Sequence, residues 1–306
     1  MTGAGPDEPR EEPTALADGG TVARPGLGDV GPLRDWAAAA LPLALAVFLG
    51  VLPLVVLLYE SVAAPGRLVS LEAYRRALDP LNLRIMARSF AVATVVTVVC
   101  LAVAYPVTYW LANRCRRRLR LPLLLVLVTP LWLNYVVLEY TWVWVLAREG
   151  VLNALAGALG LIGAPLELYP TRLSLLAGFV YLYLPYVVLT MYVSMERLDY
   201  RMVEAARDLG ASDWRVFRDV VGPQTVAGAA AGALIVYARI AGGFLTPAVL
   251  GPVTDQMLAQ VIVRAYRTNL DYGFAAALAF VFLAVVALLL AVGARSPQVR
   301  EELKRW

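Results

Sequence analysis

Six stretches of this chain each run for more than twenty residues with at most one charged side chain. A hydrocarbon layer about 30 Å thick needs roughly twenty apolar residues per helix, and every backbone polar group in it must find a partner within the protein. Residues 36–59, 89–113, 121–146, 173–195, 223–245 and 272–294 are therefore predicted as transmembrane helices. They are too long, and alternate too little, for barrel strands. The predicted fold class is all-α, a polytopic membrane protein with six transmembrane helices in a domain spanning 36–295. Composition agrees, with 60% hydrophobic and 16% charged residues among 306 and a mean hydropathy of +0.67.

The ends read as different material. Residues 1–35 hold several prolines and glycines and seven acids, too little apolar surface to order a fold. This tail is expected to be disordered and unprocessed, since it lacks the basic start of a signal peptide. Residues 296–306 form a short basic tail. The net charge of +4 concentrates in loops, as the positive-inside rule expects, and does not call for nucleic acid. With no histidine and only Cys100 and Cys115, a His/Cys metal site is excluded by count, and the positions of the two cysteines are poor for a disulfide.

Arginine placement sets the predicted orientation. Loops 114–120 and 196–222 carry five arginines each, and six spans put both on one side with the two termini. That side is expected to be the cytoplasm. Loop 60–88 also carries five arginines but falls outside in this scheme; its length weakens the rule there. Segment 150–166 is uncharged but short and rich in glycine, with Asn153 and Pro165. It is read as a short extracytoplasmic or interfacial helix rather than a seventh span.

Loop 196–222 is predicted to hold two short helices. Asp199 can cap the first, and Gly210 suits the position just past its end, where φ is often positive. Ser212 can cap the second, which is expected to end before Gly222-Pro223. Ala205 and Ala206 offer a small side for close approach, with Glu204, Arg207 and Asp208 as charged contacts around it. Such a helix suits insertion into a partner's groove, but it equally suits an ordinary solvated hairpin.

The run Glu204-Ala205-Ala206-Arg207-Asp208-Leu209-Gly210, followed by Gly222-Pro223, resembles the EAA loop of ABC-transporter permeases. In that pattern an apolar residue usually precedes the proline; here it is Gly222. Leu71-Glu72-Ala73-Tyr74-Arg75-Arg76, Thr129-Pro130-Leu131-Trp132, Glu149-Gly150-Val151-Leu152-Asn153, Leu184-Pro185-Tyr186 and Phe244-Leu245-Thr246-Pro247-Ala248-Val249-Leu250-Gly251 are similar to permeases of spermidine/putrescine-type importers. The resemblance covers roughly residues 36–295. It implies a type I ABC importer permease fold in a bacterial cell membrane, with a second permease subunit, two ATP-binding cassette subunits and an extracytoplasmic solute-binding protein. It implies that Glu204, Ala205, Ala206, Asp208 and Gly210 couple to the ATPase. The chain lacks a G-x-x-x-x-G-K-[ST] loop, so it is expected to bind no cofactor and to leave ATP to a partner subunit. The solute implied is a polyamine or a related small polar molecule, with opine, amino acid-like or anionic solutes as alternatives.

Glu139 and Arg239 lie inside predicted spans, where each charge costs roughly 2.5–3.5 kcal/mol on insertion scales. They are expected to face protein or water, either lining the translocation path or snorkelling or pairing with each other near the outer side. The polyamine-type permeases carry an arginine where this chain has Leu138 beside Glu139, and an acid where it has Gly243. The opposite charges have exchanged spans, which counts against a plain polyamine. Trp132 and Tyr135 are the deepest aromatics of the third span and join the candidate path; the other aromatics there and Tyr181, Tyr183 and Tyr186 read mainly as interfacial belt. A secondary transporter, a channel or a membrane scaffold would not need the EAA-like loop, and no nucleophile–base set marks an enzyme.

Overall fold

The computed structural model of the protein describes residues 32–63 and 69–294. Apart from 32–35, which are helical, the expected disordered tail 1–35 lies outside these residues, as does the tail 296–306. The described residues form thirteen α-helices, one 3₁₀ turn, one π turn and no strand. In chain order the α-helices are α1 (Pro32–Val62), α2 (Glu72–Ala77), α3 (Pro80–Asn113), α4 (Arg117–Val128), α5 (Tyr135–Leu146), α6 (Val151–Ala158), α7 (Arg172–Glu196), α8 (Tyr200–Asp208), α9 (Asp213–Val216), α10 (Gly222–Ala241), α11 (Leu245–Val249), α12 (Leu258–Arg267) and α13 (Tyr272–Ala294).

The chain divides into two compact units at Leu54/Val55. The described part of the first is the leading portion of α1. Leu43, Leu45, Phe48, Leu49 and Leu52 are all exposed along it. A helix that is apolar on every side belongs in lipid.

In the second unit α3, α7 and α10 pack together. Val96, Cys100 and Ala104 of α3 are fully buried with Phe179, Val187, Val188, Met191 and Met195 of α7 and Val236 and Ile240 of α10. The α7–α10 contact is close because α10 carries glycines at i and i+4. A Cβ on Gly228 would lie 2.6 Å from Thr190 O, and one on Gly232 would lie 2.4 Å from Thr190 Oγ1. Small residues let helix backbones approach this way where there is no hydrophobic drive between helices in lipid. A smaller cluster joins Ala77 of α2, Leu258 of α12 and Ala277 and Leu278 of α13.

Among the described residues, five helical segments are long and apolar enough to span a membrane: Pro42–Val62, Pro80–Asn113, Arg172–Glu196, Asp213–Ala241 and Tyr272–Leu289. The sixth, expected as one helix over 121–146, is instead a bent pair. Arg117–Trp132 and Tyr135–Ala158 meet at 99°. The break has a local cause. Pro130 supplies no N–H, the turn Thr129–Trp132 tightens to a 3₁₀ form, and Asn134 starts a new helix by accepting from Val136 N at 2.9 Å and Val137 N at 3.3 Å.

The expected stop before Gly222-Pro223 is also corrected. The second helix of loop 196–222 runs straight on into the fifth span, giving one helix over Asp213–Ala241. The turn Phe217–Val221 widens to π geometry, in which the Gly222 N–H donates to Phe217 O. A π turn makes room for the Pro223 ring and absorbs its missing donor. That span ends at Ala241, short of the expected Leu245, and α11 follows after Gly242-Gly243.

The segment read as a short helix does contain one, α6. Asn153 ties it down, donating from Nδ2 to Leu166 O at 2.9 Å and accepting from Leu166 N at 2.9 Å.

Candidate functional site

The loop between α7 and α10 is a knob built by local chemistry. Asp199 caps α8, accepting from Arg201 N at 3.1 Å. Gly210 has φ +80, a conformation that a β-carbon resists. There the Gly210 N–H donates to Arg207 O at 2.8 Å and the Ala211 N–H to Ala206 O at 3.0 Å, satisfying carbonyls at the helix end. Ser212 then caps α9, accepting from Arg215 N at 3.4 Å. Val203 is buried and pins α8 to the body, while Tyr200 Oη donates to Met195 O at 3.2 Å. Burial pushes the Tyr200 phenol pKa up.

Glu204, Ala205, Asp208 and Gly210 are exposed, and Leu209 is 89% exposed. Ala206 is half-buried against the core, so the small accessible face is narrower than two alanines. Arg207 is engaged by Asp213 at 3.0 Å. Between the knob and the last turns of α3 lies a cavity of about 480 Å³, lined by Tyr109, Trp110, Arg114, Arg207, Trp214 and Phe217 among others.

A second cavity, of about 440 Å³, opens where α4 breaks into α5. Pro130, Leu131 and Leu133 of the break line it, facing Tyr183 and Tyr186 of α7 and Arg239, Gly242 and Gly243 at the end of α10. Irregular backbone at membrane depth is tolerated where it lines such a space. Arg239 lies over the Tyr186 ring, 5.2 Å from its centroid.

Glu139 does not reach this cavity. It is fully buried and accepts a hydrogen bond from Thr246 Oγ1 of α11, whose oxygen also lies 2.7 Å from Tyr135 Oη. Its second oxygen, Oε2, makes no hydrogen bond among the described residues. The pairing of Glu139 with Arg239 that their opposite signs suggested is absent. The break at 133–134 turns α5 so that Glu139 meets α11 and the bare Gly178 of α7, where a Cβ would lie 3.7 Å from Oε2.

The family described as "Binding-protein-dependent transport system inner membrane component" matches residues 104–298. The chain belongs to that family. It is 33% identical over 223 residues to the spermidine/putrescine transport system permease protein PotB of Escherichia coli (strain K12), covering 73% of this chain and 81% of that protein. Against PotB of Haemophilus influenzae (strain ATCC 51907 / DSM 11121 / KW20 / Rd) it is 30% identical over 224 residues, covering 73% and 78%. The crystal structure of a bacterial ABC transporter involved in the import of the acidic polysaccharide alginate shares its fold, with a TM-score of 0.72 at 16% identity, covering 88% of this chain and 96% of that one. The protein is thus an inner-membrane, multi-pass permease of the ABC importer class, with the all-α fold its sequence implies.

In this permease the structure brings Tyr135 and Arg239 to one cavity wall, with Glu139 behind it. Trp132 is 84% exposed and does not line the space. Tyr183 and Tyr186, read from sequence mainly as interfacial belt, do line it. The signals for them lay in the breakers: Pro130 with Asn134, and Gly242-Gly243, mark where spans interrupt and a cavity can form.

At the opposite end of the permease from the knob, two arginines of loop 60–88 have acid partners. Arg88 Nη1 meets Asp255 Oδ1 at 3.0 Å, Arg172 holds its other oxygen, and Arg76 Nη1 meets Asp271 Oδ2 at 2.8 Å. The hydrogen bond from Arg172 keeps Asp255 below the usual carboxylate range, and that from Arg76 does the same for Asp271. This pairing offsets part of the positive charge that loop 60–88 shows in sequence.

Proposed function

We propose that this permease is one half of the membrane path of an ATP-driven, binding-protein-dependent importer, and that it has no ATP site or cofactor of its own. One of two separate ATP-binding cassette subunits docks on the knob, a second permease subunit completes the path, and an extracytoplasmic binding protein delivers the solute. Both termini and loops 114–120 and 196–222 face the cytoplasm, and segment 150–170 faces outward. The solute is a polyamine, as the names of the PotB relatives state for those proteins, or a related small polar molecule.

The observation that carries this reading is the knob itself. An exposed helix end with Glu204, Ala205, Asp208 and Gly210 outward is joined by the short turn through Gly210 and Ser212 to the helix Asp213–Ala241, a span that ends beside a cavity. Movement of a docked ATPase then reaches the path through one tight turn and one continuous helix, as alternating access requires. A second reading, a solute with an anionic end, is favoured by Arg239 on that cavity's wall.

The test replaces Gly210 by Val and Ala205 by Trp. Both variants are expected to insert normally, because they lie outside the spans, and to lose ATPase association or coupling of hydrolysis to uptake. Wild-type assembly and uptake in both would reduce the knob to a connector. In intact cells a cysteine placed at position 212 is expected to resist an impermeant reagent added from outside; its labelling would overturn the orientation.

A further inference from the structure

Among the described residues, the cavity beside the broken span carries one charged side chain on its wall, Arg239, and no carboxylate. Arg239 makes no ion pair among the described residues. Its contact with the Tyr186 ring steadies a cation without spending the N–H donors of the guanidinium. The acid of the neighbouring span, Glu139, is fully buried, is held by Thr246, and does not line the space. Gly242 and Gly243 present only backbone beside Arg239.

A guanidinium is a planar fork of donors that matches a carboxylate with two parallel hydrogen bonds. An open cation at membrane depth is costly, so its retention on a cavity wall calls for an anionic counterpart. A plain polyamine would bring like charge to the same wall, which works against binding. The space, about 440 Å³, is in the range of small-molecule sites. Tyr135 and Tyr183 bring phenol groups to the same lining, further donors or acceptors for a polar solute.

We infer that this cavity is a solute station on the translocation path and that it takes a solute bearing a carboxylate, gripped by Arg239. The inference rests on the importer reading above. It narrows the small polar solute to one with an anionic end, such as a carboxylated amine.

The test uses the purified transporter, both permeases with their ATPase and without binding protein, so that this cavity and not the delivery protein selects. Three linear probes of equal chain length are compared by equilibrium binding: putrescine with two ammonium ends, γ-aminobutyrate with one of each, and succinate with two carboxylates. Retention of γ-aminobutyrate or succinate over putrescine is expected. Arg239→Gln is expected to weaken carboxylate binding at least about tenfold, and Arg239→Lys to restore part of it. Preference for putrescine, retention of no probe, or unchanged carboxylate binding in Arg239→Gln would overturn the inference. Separation of the two permeases in Arg239→Gln would overturn it too, since Arg239 would then pair with a carboxylate of the second subunit. Size-exclusion chromatography of the wild-type complex keeps the premise separate: failure to co-elute with the ATPase counts against the importer reading itself.

Discussion

Arg207 and Arg239 are both exposed arginines near a cavity, yet they keep opposite company. Arg207, on α8, is paired with Asp213 six positions along the chain. Arg239, in the last turn of α10, has an aromatic neighbour from another helix and no acid among the described residues. The first charge is satisfied by its own loop, and the second rests against an aromatic ring with no acid among the described residues. The same contrast holds for their surroundings. The knob stands on caps and turns that reach two to five residues, whereas the cavity is assembled from the break at 133–134, from α7 and from the end of α10. Local construction tolerates change one position at a time; an assembled wall fails when any neighbour shifts.

Three substitutions test that contrast, beginning with the strongest. Gly232→Leu drives a side chain into Thr190 and Val187 and forces α7 from α10. A loss of about 3 kcal/mol or more is expected, read as a collapse in monodisperse yield and thermal stability in detergent. A variant as stable as wild type would show that the cavity does not depend on this close approach. Thr246→Val should come next. It strips Glu139 Oε1 and Tyr135 Oη of a shared partner in a buried place, at a cost of about 2 kcal/mol. Thermal unfolding measures it, and a neutral result would mean that the three groups are not a working network. Ser212→Ala should cost least, about 0.5–1 kcal/mol, because it removes one long cap bond at an exposed helix start. Faster amide exchange at residues 213–216, with the cavity unaffected, is the expected signature; a change spreading to α7 would erase the distinction between the two regions.

The same division explains what the chain discloses before it folds. Asp199, Gly210 and Ser212 announce the knob because capping depends on a residue and its next few neighbours. The spans announce themselves through length and apolarity. The break at Leu133-Asn134 was harder to see, since an apolar run is equally compatible with a straight helix, and only Pro130 with a capping Asn134 hinted otherwise. Gly222-Pro223 gave the reverse signal: it looks like a stop, and the π turn lets the helix pass through. Glu139 and Arg239 were visible as costly charges, but their partners were not. Whether they meet depends on how α5 is rotated by the break, a matter of packing that opposite sign cannot decide.

The uninterrupted helix from Asp213 to Ala241 has a mechanical meaning. Its 29 residues, at a rise of about 1.5 Å each, make a rod about 43 Å long. One end begins at the Ser212 cap; the other carries Arg239 within its final turn. Pivoting such a rod by about 10° at its midpoint sweeps each end through about 4 Å in opposite directions. That stroke exceeds the length of a hydrogen bond, so a push on the Ser212 end suffices to make or release a grip at the Arg239 end without any helix having to melt.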